Sequence, residues 1–218
     1  MQLLISKNGK FIVVEGLEGA GKSTLIEFIA NYLKSHVLSV ITTRDPGGTA
    51  VGEQIRGLIK NSVNNEPVNK YTELLLLYAA RVQLIDRVIR PALDSGAWVL
   101  ADRFELSTYA YQGGGRGIDH AVIQQLSIML LQGTQPDLIF FLDLLPEQGL
   151  QRVKLRGLQQ DRIEQESLEF FNNIYQAYHQ LIATMSNVVI VDAQQPIHAI
   201  QQFILPYLEQ LIHVTTIN

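Results

Sequence analysis

The chain has 218 residues, 47% of them hydrophobic and 17% charged, and a formal net charge of −4. That length buries a sizeable core in one domain, and that balance excludes a disordered chain. The acidic surplus argues against a nucleic-acid partner, and the lack of cysteine excludes disulfides and thiolate chemistry.

The apolar run within residues 1–10 is too short for a signal peptide. No later stretch reaches the length of a membrane span, so a cytoplasmic protein with no membrane partner is expected. Residues 11–15 read as a buried strand, and they run straight into Gly16-Leu17-Glu18-Gly19-Ala20-Gly21-Lys22-Ser23. This stretch matches G-x-x-x-x-G-K-[ST], and helix-forming residues, Leu25-Ile26-Glu27-Phe28-Ile29-Ala30, follow it. Strand, glycine-rich loop and helix are the parts of a phosphate cradle. Glycine lets the main chain curl until its N–H groups face one anion, and the helix adds the positive end of its dipole. Lys22 supplies a point charge for the outer phosphates, and Ser23 a hydroxyl for Mg²⁺. A nucleoside triphosphate site is therefore predicted.

Further apolar runs follow at residues 37–43, 98–101, 138–142 and 188–191, between helical patterns such as 71–93 and 168–185. Each run is nearly continuously apolar, which predicts strands covered on both faces. The alternation predicts an α/β domain, a parallel sheet of about five strands flanked by helices, with no second domain. Ligands of such sheets lie at the carboxyl ends of the strands. Polar residues gather where the runs stop, at Arg44-Asp45-Pro46-Gly47-Gly48, Asp102-Arg103, Asp143 and Asp192. Asp102 suits a place near a metal ion and Arg103 can reach a phosphate. Asp143 and Asp192 read instead as caps of the helices that follow.

Several phosphate-loop classes compete. A GTPase switch has its acid-x-x-Gly pattern in Asp45-Pro46-Gly47-Gly48, but its guanine reader is missing. Asn69-Lys70-Tyr71-Thr72 lacks the Asp, and Thr134-Gln135-Pro136-Asp137 lacks the Lys. A motor or transporter ATPase needs coupling domains, while an ATP-regulated binding module stays open. A nucleotide kinase needs cations beyond the loop, for which Arg56, Arg81 and Arg103 are candidates, and a cover that excludes water. Residues 151–162 fit that cover, with Arg152, Lys154, Arg156 and Arg162 around Gly157.

The most specific pieces are residues 15–23, 44–48, Tyr78-Ala79-Ala80-Arg81-Val82-Gln83-Leu84, Asp102-Arg103, 106–117 and Asp161-Arg162-Ile163-Glu164-Gln165-Glu166. In these, in order and spacing, the chain resembles the bacterial thymidylate kinases from residue 11 to about 196. The resemblance implies a P-loop nucleotide kinase fold with a small basic lid at about 151–163. It implies Mg²⁺-assisted transfer of the γ-phosphate of ATP to dTMP, and a homodimer. Other nucleoside monophosphate kinases and deoxynucleoside kinases remain the alternative.

The resemblance also assigns residues. ATP would lie on the loop from Gly16 to Ser23, on Thr24 and on Arg152. Glu18 matches a carboxylate at the acceptor's 3′-hydroxyl, near the metal. Asp45 and Pro46 line the dTMP pocket, and Arg56 and Arg103 hold its phosphate. Arg81, Thr108 and Gln112 match contacts to the base, and Tyr111 one to the sugar. Mg²⁺ would be held by Ser23 with Glu18, Asp102 and Glu164. The catalytic set is Lys22, Arg103 and Arg156, because Gly19-Ala20 put no cation inside the loop and the lid must supply one. Two departures stand out. Leu77 occupies the position of a base-stacking phenylalanine. In the lid, Lys154 replaces an arginine and one more residue precedes Asp161.

Overall fold

Five strands form one sheet among the described residues: Phe11–Gly16 (β1), Val40–Arg44 (β2), Trp98–Asp102 (β3), Leu138–Asp143 (β4) and Val188–Asp192 (β5). All pairings are parallel, in the order β2-β3-β1-β4-β5. The computed structural model describes residues 9–36, 38–61, 66–157 and 159–217, with only the backbone of 214–217. Residues 1–8, Val37 at the head of the second apolar run and Leu158 of the lid stretch lie outside the described residues.

The period of two in a strand sends alternate side chains to opposite faces. Phe11 and Val13 of β1 join one core layer, and Ile12 and Val14 the other. The helices are α1 (Lys22–Ser35), α2 (Ala50–Lys60), α3 (Lys70–Leu84), α4 (Arg90–Asp94), α5 (Glu105–Thr108), α6 (His120–Leu131), α7 (Pro146–Leu155), α8 (Leu168–Ile182) and α9 (Ile197–Ile217). Leu74 and Tyr78 of α3 and Phe171, Ile174 and Tyr178 of α8 fill the first layer. Leu25, Ile29 and Leu33 of α1 pack with Ile200, Ile204 and Leu208 of α9 in the second. Two helix starts carry side-chain caps: Thr49 accepts from the Gly52 N–H, and Ser167 from the Phe170 N–H.

Three expectations need correction. The outer strands are not covered on both faces: Ile41 of β2 is 37% exposed and Ile190 of β5 is 49% exposed. Their apolar letters reflect β-propensity at a sheet edge rather than full burial. The pattern at 71–93 is not one helix, because a π-helical segment, Ile85–Ile89, separates α3 from α4. It lies just ahead of Pro91, which has no N–H with which to continue an α-ladder. Nor do Asp143 and Asp192 cap helices. α7 starts later, with Pro146 in its first turn, and Asp143 faces the ring of His179 at 3.2 Å. Asp192 accepts from the Gln194 N–H at 2.9 Å, a local turn ahead of α9.

Candidate active site

The phosphate loop leaves β1 at the carboxyl edge of the sheet and enters α1. Gly19 and Gly21 have φ of 74° and 96°, left-handed values that glycine adopts without steric cost. A Cβ at Gly19 would also lie 2.3 Å from the carbonyl oxygen of Gly149 on α7. No side chain caps α1 at Gly21, so its first N–H groups remain available as anion donors. The Lys22 ammonium donates to the carbonyls of Gly16 (3.0 Å) and Leu17 (2.8 Å). Burial, and then the nearby Arg103 charge, lower its pKa to about 8.

Arg103 is the hub beside this loop. Its φ of 68° is left-handed, a conformation that costs a non-glycine residue about 1–3 kcal/mol. Glu15, fully buried on β1, holds the turn: it accepts from the Phe104 N–H (2.9 Å), the Ser107 hydroxyl (2.5 Å) and the Tyr178 hydroxyl (3.0 Å). Arg103 in turn donates to Ser107 (3.1 Å) and to Glu18 (2.9 Å). The other Glu18 oxygen accepts from the Tyr111 hydroxyl at 2.6 Å. One loop carboxylate thus joins the arginine and the tyrosine, with the Arg103 guanidinium 4.9 Å from the Tyr111 ring centre. Asp102, the residue before, has a buried Oδ1 with no hydrogen-bond partner among the described residues.

Beyond Arg103 lies a deep polar pocket. Arg81 and Asp45, both almost fully buried, form an ion pair. Arg81 also donates to the Thr108 hydroxyl at 2.7 Å. Its remaining terminal nitrogen and Asp45 Oδ1 are buried without partners among the described residues. Thr108 and Gln112 flank the start of a second π-helical segment, Tyr109–Gly115. Such segments recur at functional sites. Leu77, 8% exposed, lines the same pocket one helical turn before Arg81. Arg56 donates to the Pro46 carbonyl at 2.8 Å, and burial followed by the Arg44 charge lowers its pKa.

The basic residues of the lid stretch have separate fates. Arg156, at the end of α7, pairs with Glu164 at 3.0 Å and remains half exposed. Arg152 reaches behind the phosphate loop to the carbonyls of Gly19 (3.4 Å) and Ala193 (3.1 Å). Arg162 turns inward, donating to the Ile59 carbonyl at 2.8 Å and pairing with the buried Glu73. Lys154 is exposed. Asp161 pairs with Lys60 at 2.5 Å and accepts from the N–H groups of Ile163 and Glu164. Among its described residues the limb from Arg156 to Gln160 is held by the Arg156–Glu164 pair and by Gln165, whose Nε2 donates to the Gln160 carbonyl at 2.8 Å.

A single cavity of ≈ 470 Å³ connects these parts. Glu18, Gly19, Gly21, Lys22, Ser23 and Thr24 line one end, and Asp45, Leu77, Arg81, Thr108 and Gln112 the other. Arg56, Asp102, Arg103, Tyr111, Arg152, Arg156 and Glu164 also face it, as does Pro46. Gly16, Leu17 and Ala20 do not. The side chains of Leu17 and Ala20 are buried in opposite core layers, so these positions can offer a ligand only main-chain atoms.

The family model described as Thymidylate kinase matches residues 14–204 of this chain. A relative from Legionella pneumophila (strain Corby), named Thymidylate kinase, is 52% identical over 95% of this chain and 97% of its own length. Relatives of the same name from Baumannia cicadellinicola and Blochmanniella pennsylvanica are 52% identical over 86% of this chain and 44% identical over 93%; the matches cover 89% and 96% of their own lengths. The chain belongs to the thymidylate kinase family.

In this thymidylate kinase family member, several structural supports leave little sign in the sequence. Glu15, Ser107 and Tyr178 hold the Arg103 turn, and Glu73, Arg116 and Arg162 brace the far pocket. Glu73 did leave a signal. It is an acid on the same helical face as Leu77 and Arg81, at spacings of four, within an apolar run. A charged residue on a core face needs a partner, and that need marks a built network.

Proposed function

We propose that this protein transfers the γ-phosphate of ATP to dTMP, giving dTDP, by in-line displacement with no covalent intermediate on the protein. The observation that carries this reading is the continuity of the cavity. A phosphate loop at one end and a buried arginine pocket at the other share one space, with Arg103 and Arg156 on its walls. Two phosphorylated molecules can then meet end to end.

The loop amides and Lys22 hold the donor phosphates, assisted by Thr24 at the first turn of α1. Arg56 and Arg103 take the acceptor phosphate, while Arg81, Thr108 and Gln112 face its base. Glu18 and Tyr111 face the sugar, where their hydrogen-bonded pair restricts the space for a ribose 2′-hydroxyl. Arg156 exchanges Glu164 for the transferring phosphoryl as its side chain swings over it. Catalysis is then positioning and charge neutralisation.

Mg²⁺ fits this site. Ser23 faces the cavity and Asp102 keeps a buried, unpartnered oxygen beside it, the sparse donor set of an ion that takes its other ligands from phosphate and water. Among the described residues no three histidine, aspartate or glutamate side chains gather into a metal cluster, so Glu18, Asp102 and Glu164 are not assembled as one donor set. When bound, Mg²⁺ neutralises the charge of the donor phosphates. Glu18 and Glu164 would join it only by releasing Arg103 and Tyr111, or Arg156 and the Asp161 N–H.

The reading extends to assembly. α3 packs against α6, and Leu75 (56% exposed) on one and Ile128 (73%) and Met129 (64%) on the other remain open. Those apolar residues support a homodimer through these two helices, and Ile128→Glu should convert the dimer to monomer in sedimentation. No helix among the described residues is long and apolar enough to cross a membrane. A cytoplasmic location goes with substrates of this kind.

An ADP-release assay across nucleosides and monophosphates tests the reaction. dTMP should exceed UMP and dCMP in kcat/KM. Equal values for all three would remove the base assignment, and nucleotide binding without turnover would remove the kinase.

A further inference from the structure

Glu73 is the one carboxylate of the far pocket whose side chain is 1% exposed yet never reaches the cavity. Its Oε1 accepts from Gln112 Nε2 at 2.9 Å and from Arg116 Nε at 3.1 Å. Its Oε2 accepts from Arg116 at 3.3 Å and from Arg162. Burial alone would raise its pKa, but Arg162 and Arg116 more than offset this and it lies below the usual glutamate range. Glu73 is therefore an acceptor only, with every partner a donor.

That has a consequence for Gln112, which is 4% exposed and lines the cavity. An amide can present either its NH₂ or its oxygen, and the hydrogen-bond partner decides which. Facing a carboxylate, Gln112 must give its NH₂ to Glu73 and keep Oε1 for the pocket. No donor among the described residues meets that oxygen. Across the same pocket, Arg81 keeps a buried terminal nitrogen without a partner. Beside the unpartnered Asp45 Oδ1, the pocket therefore offers a fixed acceptor at Gln112 and a fixed donor at Arg81. An imide edge, an N–H beside a carbonyl, complements that pair. A cytosine-type edge, a bare ring nitrogen beside an amino group, opposes both.

We propose that Glu73 is a positioning residue that sets the polarity of the acceptor pocket through the Gln112 amide, selecting imide-type pyrimidines against cytosine-type ones. This rests on the reading of the far pocket as the acceptor base site. The same carboxylate also anchors Arg162 of the lid stretch, so its loss slows turnover of every acceptor. The discrimination between two bases isolates the polarity role from that general effect.

The test uses dTMP and 5-methyl-dCMP, which share the methyl group and differ only along this edge. The wild-type protein should favour dTMP in kcat/KM by about 10³-fold or more, the scale on which a site built to hydrogen-bond a group rejects its mismatch. Glu73→Gln lets Gln112 turn over, and the ratio should fall at least tenfold. Gln112→Leu leaves the arginine pairs of Glu73 intact and should lower the ratio by a similar factor. In the double variant, Glu73→Gln should add no further loss of discrimination. Equal loss of both activities in Glu73→Gln, with the ratio within twofold of wild type, overturns the proposal. So does an unchanged ratio in Gln112→Leu, which decides the matter even where Glu73→Gln fails to fold. Wild-type protein that uses both acceptors equally also overturns it. Failure of the wild-type protein to phosphorylate dTMP would instead defeat the parent reading.

Discussion

The two ends of the cavity are built differently. At the donor end the functional groups are main-chain amides, and the cations rest on weak or exposed partners. Lys22 lies on two carbonyls of its own loop, and Arg156, itself half exposed, on Glu164. At the acceptor end, charges are locked into one another in the interior. Arg81 holds Asp45 across 36 residues of sequence, and Arg162 holds Glu73 across 89. The first design leaves cations free to move onto phosphates. The second fixes a shape, which on the proposed reading meets a base. Changes at the donor end should therefore remove activity and spare the fold, whereas changes at the acceptor end should strain both.

The largest effect is expected at Arg81. Arg81→Ala leaves Asp45 in the interior with its ionic partner gone, and burial already drives the Asp45 pKa upward. Removing one member of a buried pair costs about 3–5 kcal/mol. Denaturant unfolding should register a loss of that size together with loss of dTMP binding. Unchanged stability would mean that the two ends are not so different. Next comes Lys22→Ala, expected to lower kcat/KM by on the order of 10²–10³ by removal of one preorganised charge. Its unfolding midpoint should stay within a degree or two of wild type. A large drop in midpoint would make Lys22 a structural strut of its loop.

The same contrast explains what was legible in the sequence. The donor end is local: strand, glycines, Lys22 and Ser23 are consecutive, and five apolar runs ending in polar residues announce the sheet and its ligand edge. The order of those strands depends on crossovers that no local pattern encodes. Arg81 is a candidate from its charge and Asp45 from its place at a strand end, but Thr108 and Gln112 are named only through family resemblance. Their meaning lies in pairings between α3, the β2 turn and the second π-helical segment, and a single sequence does not record pairings. The support that Glu15 and Glu73 give is hidden in the sequence for the same reason. A lone acid beside apolar residues says that a partner exists, but not which one. The lid stretch shows the limit from the other side: its letters do not say that Arg152 and Arg162 reach into main-chain carbonyls while Arg156 lies half exposed in a single ion pair.

That division gives a smaller prediction at the donor end. Arg156→Ala should lower kcat at least tenfold with KM for dTMP little changed, since it removes a group that acts on the transferring phosphoryl. Arg156→Lys should recover only part of the rate, because lysine lacks the planar fork. Near wild-type turnover in Arg156→Ala would return the lid cation to Arg152 or Arg162. Their present contacts would then have to open during the cycle.

The smallest effect belongs to Leu77, where the resemblance leads one to expect a phenylalanine. Leu77 is 8% exposed, lies on the core face of α3 one turn before Arg81, and borders the cavity. Leucine covers a base face by dispersion alone, whereas a ring adds about 0.5–1.5 kcal/mol of directional stacking. If the acceptor end kept its shape around leucine, Leu77→Phe should leave dTMP affinity unchanged or tighten it by up to about tenfold in calorimetry. The added ring has the cavity to enter, so it need not displace Leu74 or Tyr78, which are buried toward the sheet on the same helix. A loss of affinity beyond tenfold would show instead that the interior around Arg81 and Asp45 has been repacked for the smaller side chain. The rigid end of the site would then have adapted to this one substitution, and the donor end, held by its own main chain, would have had no part in that adjustment.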